Sequence, residues 1–364
     1  MDPNYAVAPG DYFQEWLDET GTTQQQAADR LGYSRKHVNE IVNGRAMVTG
    51  ETASRLDRLT GIDRASWLAF EAAYRADLAR LADETELAAY VEQIPASVAT
   101  FLRAGGHTEA SRRNPGRLVG DFLAFHRCGT FEAYTAMCEA YTRGDFALAA
   151  LRESRKEPHP VVMSTWLRSA ELTDAYQAGR TLTYDEAALR SLLPSLRERC
   201  ARPDQGMLAD VAAIVKDAGV LLLFVEPPKG FPLHGVTRWI DQRVPVIQQT
   251  GRRCKDGFLT WTLFHEIGHV LNDPRGELHM EYSTERKRNS VAEREANKFA
   301  MDTLFGEEGL ARLAGLTYDR DIQTASREIG VSPGLAVFML HRKRLLDYSF
   351  GNRLAADLEP AFSV

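Results

Sequence analysis

Hydrophobic positions recur at helical spacing over most of the chain, and the period changes once, in the last third. From residue 11 to 82 the pattern gives closely spaced short helices, broken at Gly21, Gly32, Gly44 and Gly61. Residues 85–200 continue as helices, punctuated by Gly, Pro and Asn clusters at 103–117 (RAGGHTEASRRNPGR) and 157–160 (EPHP). Beyond residue 205 a helix over 208–218 leads into the apolar run 220–225, and two further strand-like runs follow at 235–240 and 244–248. Helical spacing returns near 257–271 and 290–305. The pattern predicts a mainly α chain with a small β-sheet, in three parts. These are a helical domain over 1–82, a helical middle region over 83–202 and an α+β domain with C-terminal helices over 203–364.

Composition narrows the class. Hydrophobic residues are 44% and charged residues 26% of 364, the proportions of a folded globular chain, which excludes a disordered or fibrous one. The longest apolar run, 220–225, falls far short of the roughly 20 residues that span a bilayer, so no membrane partner is expected. The opening MDPNYAVAPGDYFQEWL has no basic stretch followed by an apolar one, so no signal peptide is expected either. Cys128, Cys138, Cys200 and Cys254 form no CxxC pair, which suggests free thiols in a reducing cytoplasm. The net charge of −6 supplies no global attraction to nucleic acid.

Local chemistry near the amino terminus nevertheless suits DNA. Residues 23–31 (TQQQAADRL) form a short helix with Ala27, Ala28 and Leu31 inward, Gly32 suits the turn, and Ser34 is a good N-cap for a helix over 35–43. Helix, tight turn and helix is the plan that sets the start of the second helix into a major groove. Arg35, Lys36 and Asn39 would then face base edges, since Arg and Lys donate to guanine and Asn pairs with adenine; Ser34 stands at the same helix start. Gln24 would touch a phosphate. Residues 1–80 carry 9 basic and 12 acidic side chains, a net of −3, with positive charge gathered locally at Arg30, Arg35, Lys36 and Arg45. Modest affinity per copy is therefore expected, with a homodimer supplying the rest.

The strongest chemical signal is His265-Glu266-Ile267-Gly268-His269, an H-E-x-x-H sequence inside GFLTWTLFHEIGHVLND. Leu259, Leu263, Ile267, Val270 and Leu271 give this stretch helical spacing. Positions i and i+4 share a helix face, so both imidazoles reach one metal ion, and Glu266, about 100° around the axis, can approach a water on it. Zn2+ is the expected cofactor, because two His and a carboxylate on such a helix favour it. A catalytic zinc needs a third ligand, and Glu277, Glu281, Glu285, Glu293 and Glu295 all follow. A helical wheel of SVAEREANKFAMDTLF sets Glu293 beside the inner face of Ala292, Ala296, Phe299, Ala300 and Thr303, and Glu295 off the opposite edge. Glu293 also completes a capping box with Ser290; its distance from the His pair selects the ligand role. His279 and Tyr282, in the intervening loop, are candidate oxyanion donors. Residues 85–200 carry no comparable motif, and Phe122, Phe125, Tyr134, Tyr141, Trp166 and Tyr176 read as core.

Two resemblances follow from these motifs. TTQQQAADRLGYSRKHVNEIVNG resembles the Xre/Cro-type helix-turn-helix, particularly HigA-like antitoxin-repressors, which implies a lambda-repressor-like helical domain. FLTWTLFHEIGHVLND followed by EREANKFAMDTL resembles the ImmA/IrrE metallopeptidases, which implies a zincin-like α+β domain. By that resemblance His265, His269 and Glu293 bind zinc, Glu266 is the general base, and Asn297 holds a ligand in place. The family often ends the second helix with a Leu-x-Pro-like stretch, where this chain has DTLFGEEG. The implied function is a zinc endopeptidase that cleaves a repressor-like regulatory protein, with operator DNA bound by the amino-terminal domain. The alternative is a transcriptional regulator or antitoxin that uses the peptidase fold as a sensor or interaction module.

Overall fold

The computed structural model describes residues 5–143, 149–152, 159–251, 253–275 and 291–360. Two compact units emerge: Met1–Gln93 with Ala110–Asp121, and Ile94–Glu109 with Phe122–Val364. The first holds α1 (Pro9–Thr20), α2 (Gln24–Leu31), α3 (Arg35–Val42), α4 (Gly50–Thr60) and α5 (Arg64–Leu87). Its core is Phe13, Leu17, Ala27, Ala28, Leu31, Val38, Ile41, Leu56 and Trp67, so the three residues expected inward on α2 are all buried. Thr23 and Gln26 exchange bonds at the start of α2: the Thr23 hydroxyl accepts from the Gln26 amide (3.2 Å) and the Gln26 carbonyl from the Thr23 amide (3.0 Å). Ser34 caps α3 by accepting from the His37 amide at 3.1 Å. Buried Glu71 closes the far side, accepting from the Val48 amide at 3.0 Å and from Arg75 Nε at 2.7 Å.

The second unit runs through α6 (Ala96–Ala104), the last turn of α7 (Pro115–His126), α8 (Phe131–Arg143), β1 (Ala149–Arg152), α9 (Pro160–Glu171), α10 (Asp174–Gly179), α11 (Glu186–Cys200) and α12 (Met207–Asp217). It continues with β2 (Leu221–Phe224), β3 (Leu233–Ile240), β4 (Val244–Gln249), α13 (Asp256–Asn272), α14 (Val291–Leu313), α15 (Asp319–Ile329) and α16 (Pro333–Arg342). The sheet has the order β1-β3-β4-β2, with β2 parallel to β4 and the other pairs antiparallel. Strand β1 corrects the sequence reading, which took this stretch as helical. It pairs along the outer edge of β3, and such long-range pairing overrides local propensity.

Alternation along the strands gives the sheet two different faces. Thr237 and its partner Ile247 turn toward α13, where Ile247 joins the core of Leu259, Leu263, Phe264 and Ile267. Arg238 and Gln248 turn the other way, toward α9. There Arg238 Nη2 donates to the Leu167 carbonyl (3.1 Å) and Gln248 Nε2 to the Trp166 carbonyl (2.8 Å). The Trp166 indole in turn donates to the Val225 carbonyl at 2.9 Å. Helix α13 is buried from Asp256 to Leu271. It meets α14 closely at Gly268, where a Cβ would stand 2.9 Å from the Ala296 Cα. At Gly306 (φ 64°, ψ −171°) α14 kinks, within the stretch that departs from the Leu-x-Pro-like ending. Among the described residues no helix is long and apolar enough to cross a membrane.

Candidate metal centre

The two imidazoles of α13 project side by side from one buried helix face, with Nε2 atoms 3.1 Å apart. Both residues are almost wholly enclosed, His265 at 0% and His269 at 2% exposure. Glu293, on the first turn of α14, reaches across the Gly268 contact. Its Oε2 lies 3.5 Å from His265 Nε2 and its Oε1 3.6 Å from His269 Nε2. Glu295 is exposed on the opposite edge. Ligand atoms about 2.0–2.2 Å from one tetrahedral ion lie about 3.3–3.6 Å from each other, so this spacing is close to that of a ligated set. Two imidazole nitrogens at 3.1 Å repel unless a proton or cation stands between them, and the ligand atoms of all three residues lie within 4.8 Å of one another. Two His and one carboxylate thus fit the donor set of a zinc ion.

Asp273 fixes His269 from behind, with His269 Nδ1 2.7 Å from Asp273 Oδ2. A proton on Nδ1 donated to that carboxylate would leave the Nε2 lone pair available to a metal ion. Burial pushes the His269 pKa down, but the hydrogen bonds to Asp273 and Glu293, with the nearby Glu266 charge, outweigh it and raise the pKa to about 10. His265 goes the other way: burial, then the charges of His269 and Arg342, push it well below the ordinary value. Its Nδ1 is buried without a hydrogen-bond partner among the described residues.

Glu266, at 0% exposure, turns toward the sheet. Its Oε2 accepts from the Thr237 hydroxyl at 2.7 Å, and β3 passes so close that a Cβ at Gly235 would stand 3.1 Å from Oε1. Asn297 acts on Glu293 through the backbone: its Nδ2 donates to the Glu293 carbonyl at 2.7 Å, and its Oδ1 accepts from Arg342 Nη2 at 2.9 Å. The Arg342 guanidinium lies over the Trp261 ring, 4.8 Å from its centroid. Asp273, Thr237 and Arg342 escaped the sequence reading. Only Asp273 left a local signal, one helical turn beyond His269 on the same face. The candidate oxyanion donors His279 and Tyr282 lie outside the described residues, as do Glu277, Glu281, Glu285 and Ser290.

In the first unit Arg35 and Lys36 are exposed on the opening turn of α3, away from buried Val38 and Ile41. Asn39 is also exposed, and its Nδ2 donates to Gln24 Oε1 at 3.3 Å, so these two predicted contacts sit together. The Ser34 hydroxyl is taken up by its capping bond.

With both sites described, comparison with known proteins gives each a counterpart. Residues 13–67 match the family model described as Helix-turn-helix. Residues 260–341, which contain His265, Glu266, His269 and Glu293, match the model described as IrrE N-terminal-like domain. The chain joins an Xre-like helix-turn-helix to an IrrE-like domain. Virulence-associated protein I of Dichelobacter nodosus is 37% identical over 70 residues, which cover 19% of this chain and 65% of that protein. The IrrE-like region opens within α13 and closes in α16, and so takes in both helices that carry the three converging side chains.

Proposed function

We propose that this chain is a zinc-dependent endopeptidase that cleaves a cytoplasmic, repressor-like regulatory protein, and that its helix-turn-helix domain binds operator DNA as a homodimer for targeting or autoregulation. The observation that carries the reading is the convergence of His265, His269 and Glu293 beside the buried carboxylate of Glu266. His265 and His269 would bind the metal through Nε2 and Glu293 through its carboxylate, while Asp273 holds the His269 tautomer. When bound, zinc supplies a polarised substrate carbonyl and a water of lowered pKa. Glu266 would serve as the general base and hold a proton at its carboxylate, which the Thr237 hydroxyl keeps in one orientation. The match to the IrrE N-terminal-like model supports this assignment. For DNA, the exposed Arg35, Lys36 and Asn39 at the start of α3 support major-groove contact.

The test incubates wild type and Glu266→Gln with the products of the reading frames adjacent to this chain's own. Cleavage by wild type and none by the variant is the expected result. An intact target with both proteins would overturn the peptidase reading and favour the regulator alternative.

A further inference from the structure

The face of β3 turned away from the metal centre borders a cavity of about 430 Å³, whose lining includes Arg127, Arg168, Glu171, Tyr176, Arg180, Arg238 and Asp241. Two of these guanidinium groups are fixed by internal bonds. Glu171 Oε1 accepts from Arg238 Nη1 at 2.8 Å, and Oε2 from Arg168 Nη1 at 2.8 Å. The Leu167 carbonyl holds Arg238 Nη2 at 3.1 Å, and the Phe125 carbonyl holds Arg168 Nε at 2.9 Å. Arg238 is only 7% exposed and lies over the Tyr176 ring, 5.1 Å from its centroid. Arg127 and Arg180 are different: both are exposed at the mouth, and neither has a carboxylate within ion-pair reach among the described residues. Asp241 faces Arg243 outside the cavity, at 4.0 Å. Four arginines against Glu171 and Asp241 leave the lining with an excess of two positive charges.

We propose that this cavity binds a dianion of the phosphate class, as free phosphate or as a phosphate monoester, and that the bound anion regulates the centre across the sheet. A phosphate satisfies exposed guanidinium groups through paired, charge-assisted hydrogen bonds, and a dianion matches the lining's excess of two positive charges. Arg127 follows α7 and Arg180 follows α10. Leu172 and Tyr176 on the lining offer apolar surface to an organic remainder, and the cavity is larger than a bare oxyanion needs. The route to the metal centre is one residue long. Thr237, which donates to Glu266, precedes Arg238 on β3, and the two side chains leave the strand on opposite faces. Trp239 also packs under Arg275, 5.4 Å from its ring centroid, just past the end of α13. An anion that draws on Arg238 therefore acts on the strand that orients Glu266. Binding stands independently of the peptidase reading; only the regulatory consequence rests on it.

Calorimetric titration of the full chain with inorganic phosphate and with phenyl phosphate tests the site. One saturable site per chain is expected, weakened at least tenfold in Arg127→Gln/Arg180→Gln and unchanged in Arg243→Gln. Tighter binding of phenyl phosphate identifies a monoester as the ligand; equal binding identifies free phosphate. Both replaced arginines are exposed, and a thermal melt checks that the variant folds; the single Arg180→Gln serves if the double variant does not. No saturable binding at millimolar concentrations, or full binding by the double variant, overturns the site. Hydrogen exchange over residues 235–239 reads the coupling without any substrate. Slower exchange with phenyl phosphate, absent in the double variant, supports it, and unchanged exchange despite binding overturns it. Neither measurement depends on proteolysis, so failure of the peptidase reading would be seen separately.

Discussion

At His269 two carboxylates act against burial, and each does a different job. Glu293 lies 3.6 Å from Nε2, whereas Asp273 sits on Nδ1 and would decide which tautomer turns a lone pair toward a metal ion. Glu293→Ala should therefore lose zinc and Glu295→Ala should keep it, as measured by metal titration with atomic emission. Asp273→Asn should bind zinc about 10–100-fold more weakly with all three ligands present. Glu266→Gln should keep zinc and fold like wild type, but lose cleavage, because an amide cannot accept the water proton. Glu171 sets up a pH dependence far from the metal. Burial raises its pKa, but Arg238 and Arg168 outweigh that and hold it below the usual carboxylate range. A lowered folded-state pKa gives stability that is present above the unfolded value of about 4.3 and lost as pH falls through the folded one. Glu171→Gln should cost about 1–3 kcal/mol in urea unfolding at pH 7, because Arg168 and Arg238 lose a charged partner, and the gap to wild type should close in strong acid.

Between elements, the metal centre depends on how closely α13 and α14 approach. With 2.9 Å between a Cβ at Gly268 and the Ala296 Cα, the neighbour in the way is backbone and cannot rotate aside. Gly268→Ala should push α14 outward, draw Glu293 from the imidazoles and weaken zinc at least tenfold, while circular dichroism stays near wild type; unchanged zinc affinity would refute this dependence. Periodicity made much of this pair of helices readable. The apolar positions read on α13 are all buried, although its polar positions are buried with them, and a wheel at 100° per residue distinguishes Glu293 from Glu295 two positions away. The same reasoning could not find Thr237 or Arg342, whose roles arise from β3 and α16 meeting α13 and α14 in space. Nor could it find β1, which owes its form to the edge of β3.

For the whole molecule, the two units have separate cores. Trp67 and Phe13 lie at the centre of one, and Phe264 and Ile267 within the other. DNA binding and metal binding should therefore be separable. Arg35→Ala and Lys36→Ala should each weaken binding to the upstream region, by about 1–3 kcal/mol where the side chain meets a base edge, and zinc chelation should leave the wild-type gel shift in place. Loss of the shift on chelation would show that the two functions are coupled.

The footing of α13 bears on how the protein is made. Asp256, at the start of that helix, accepts from the Ser332 hydroxyl and from the Ala356 amide (2.9 Å), residues that leave the ribosome long after it. Glu293 also follows the His pair. A nascent chain thus displays H-E-x-x-H before it has Glu293 or the anchor of the helix. On the proposed reading, the peptidase site would lack part of its framework until synthesis had passed Ala356.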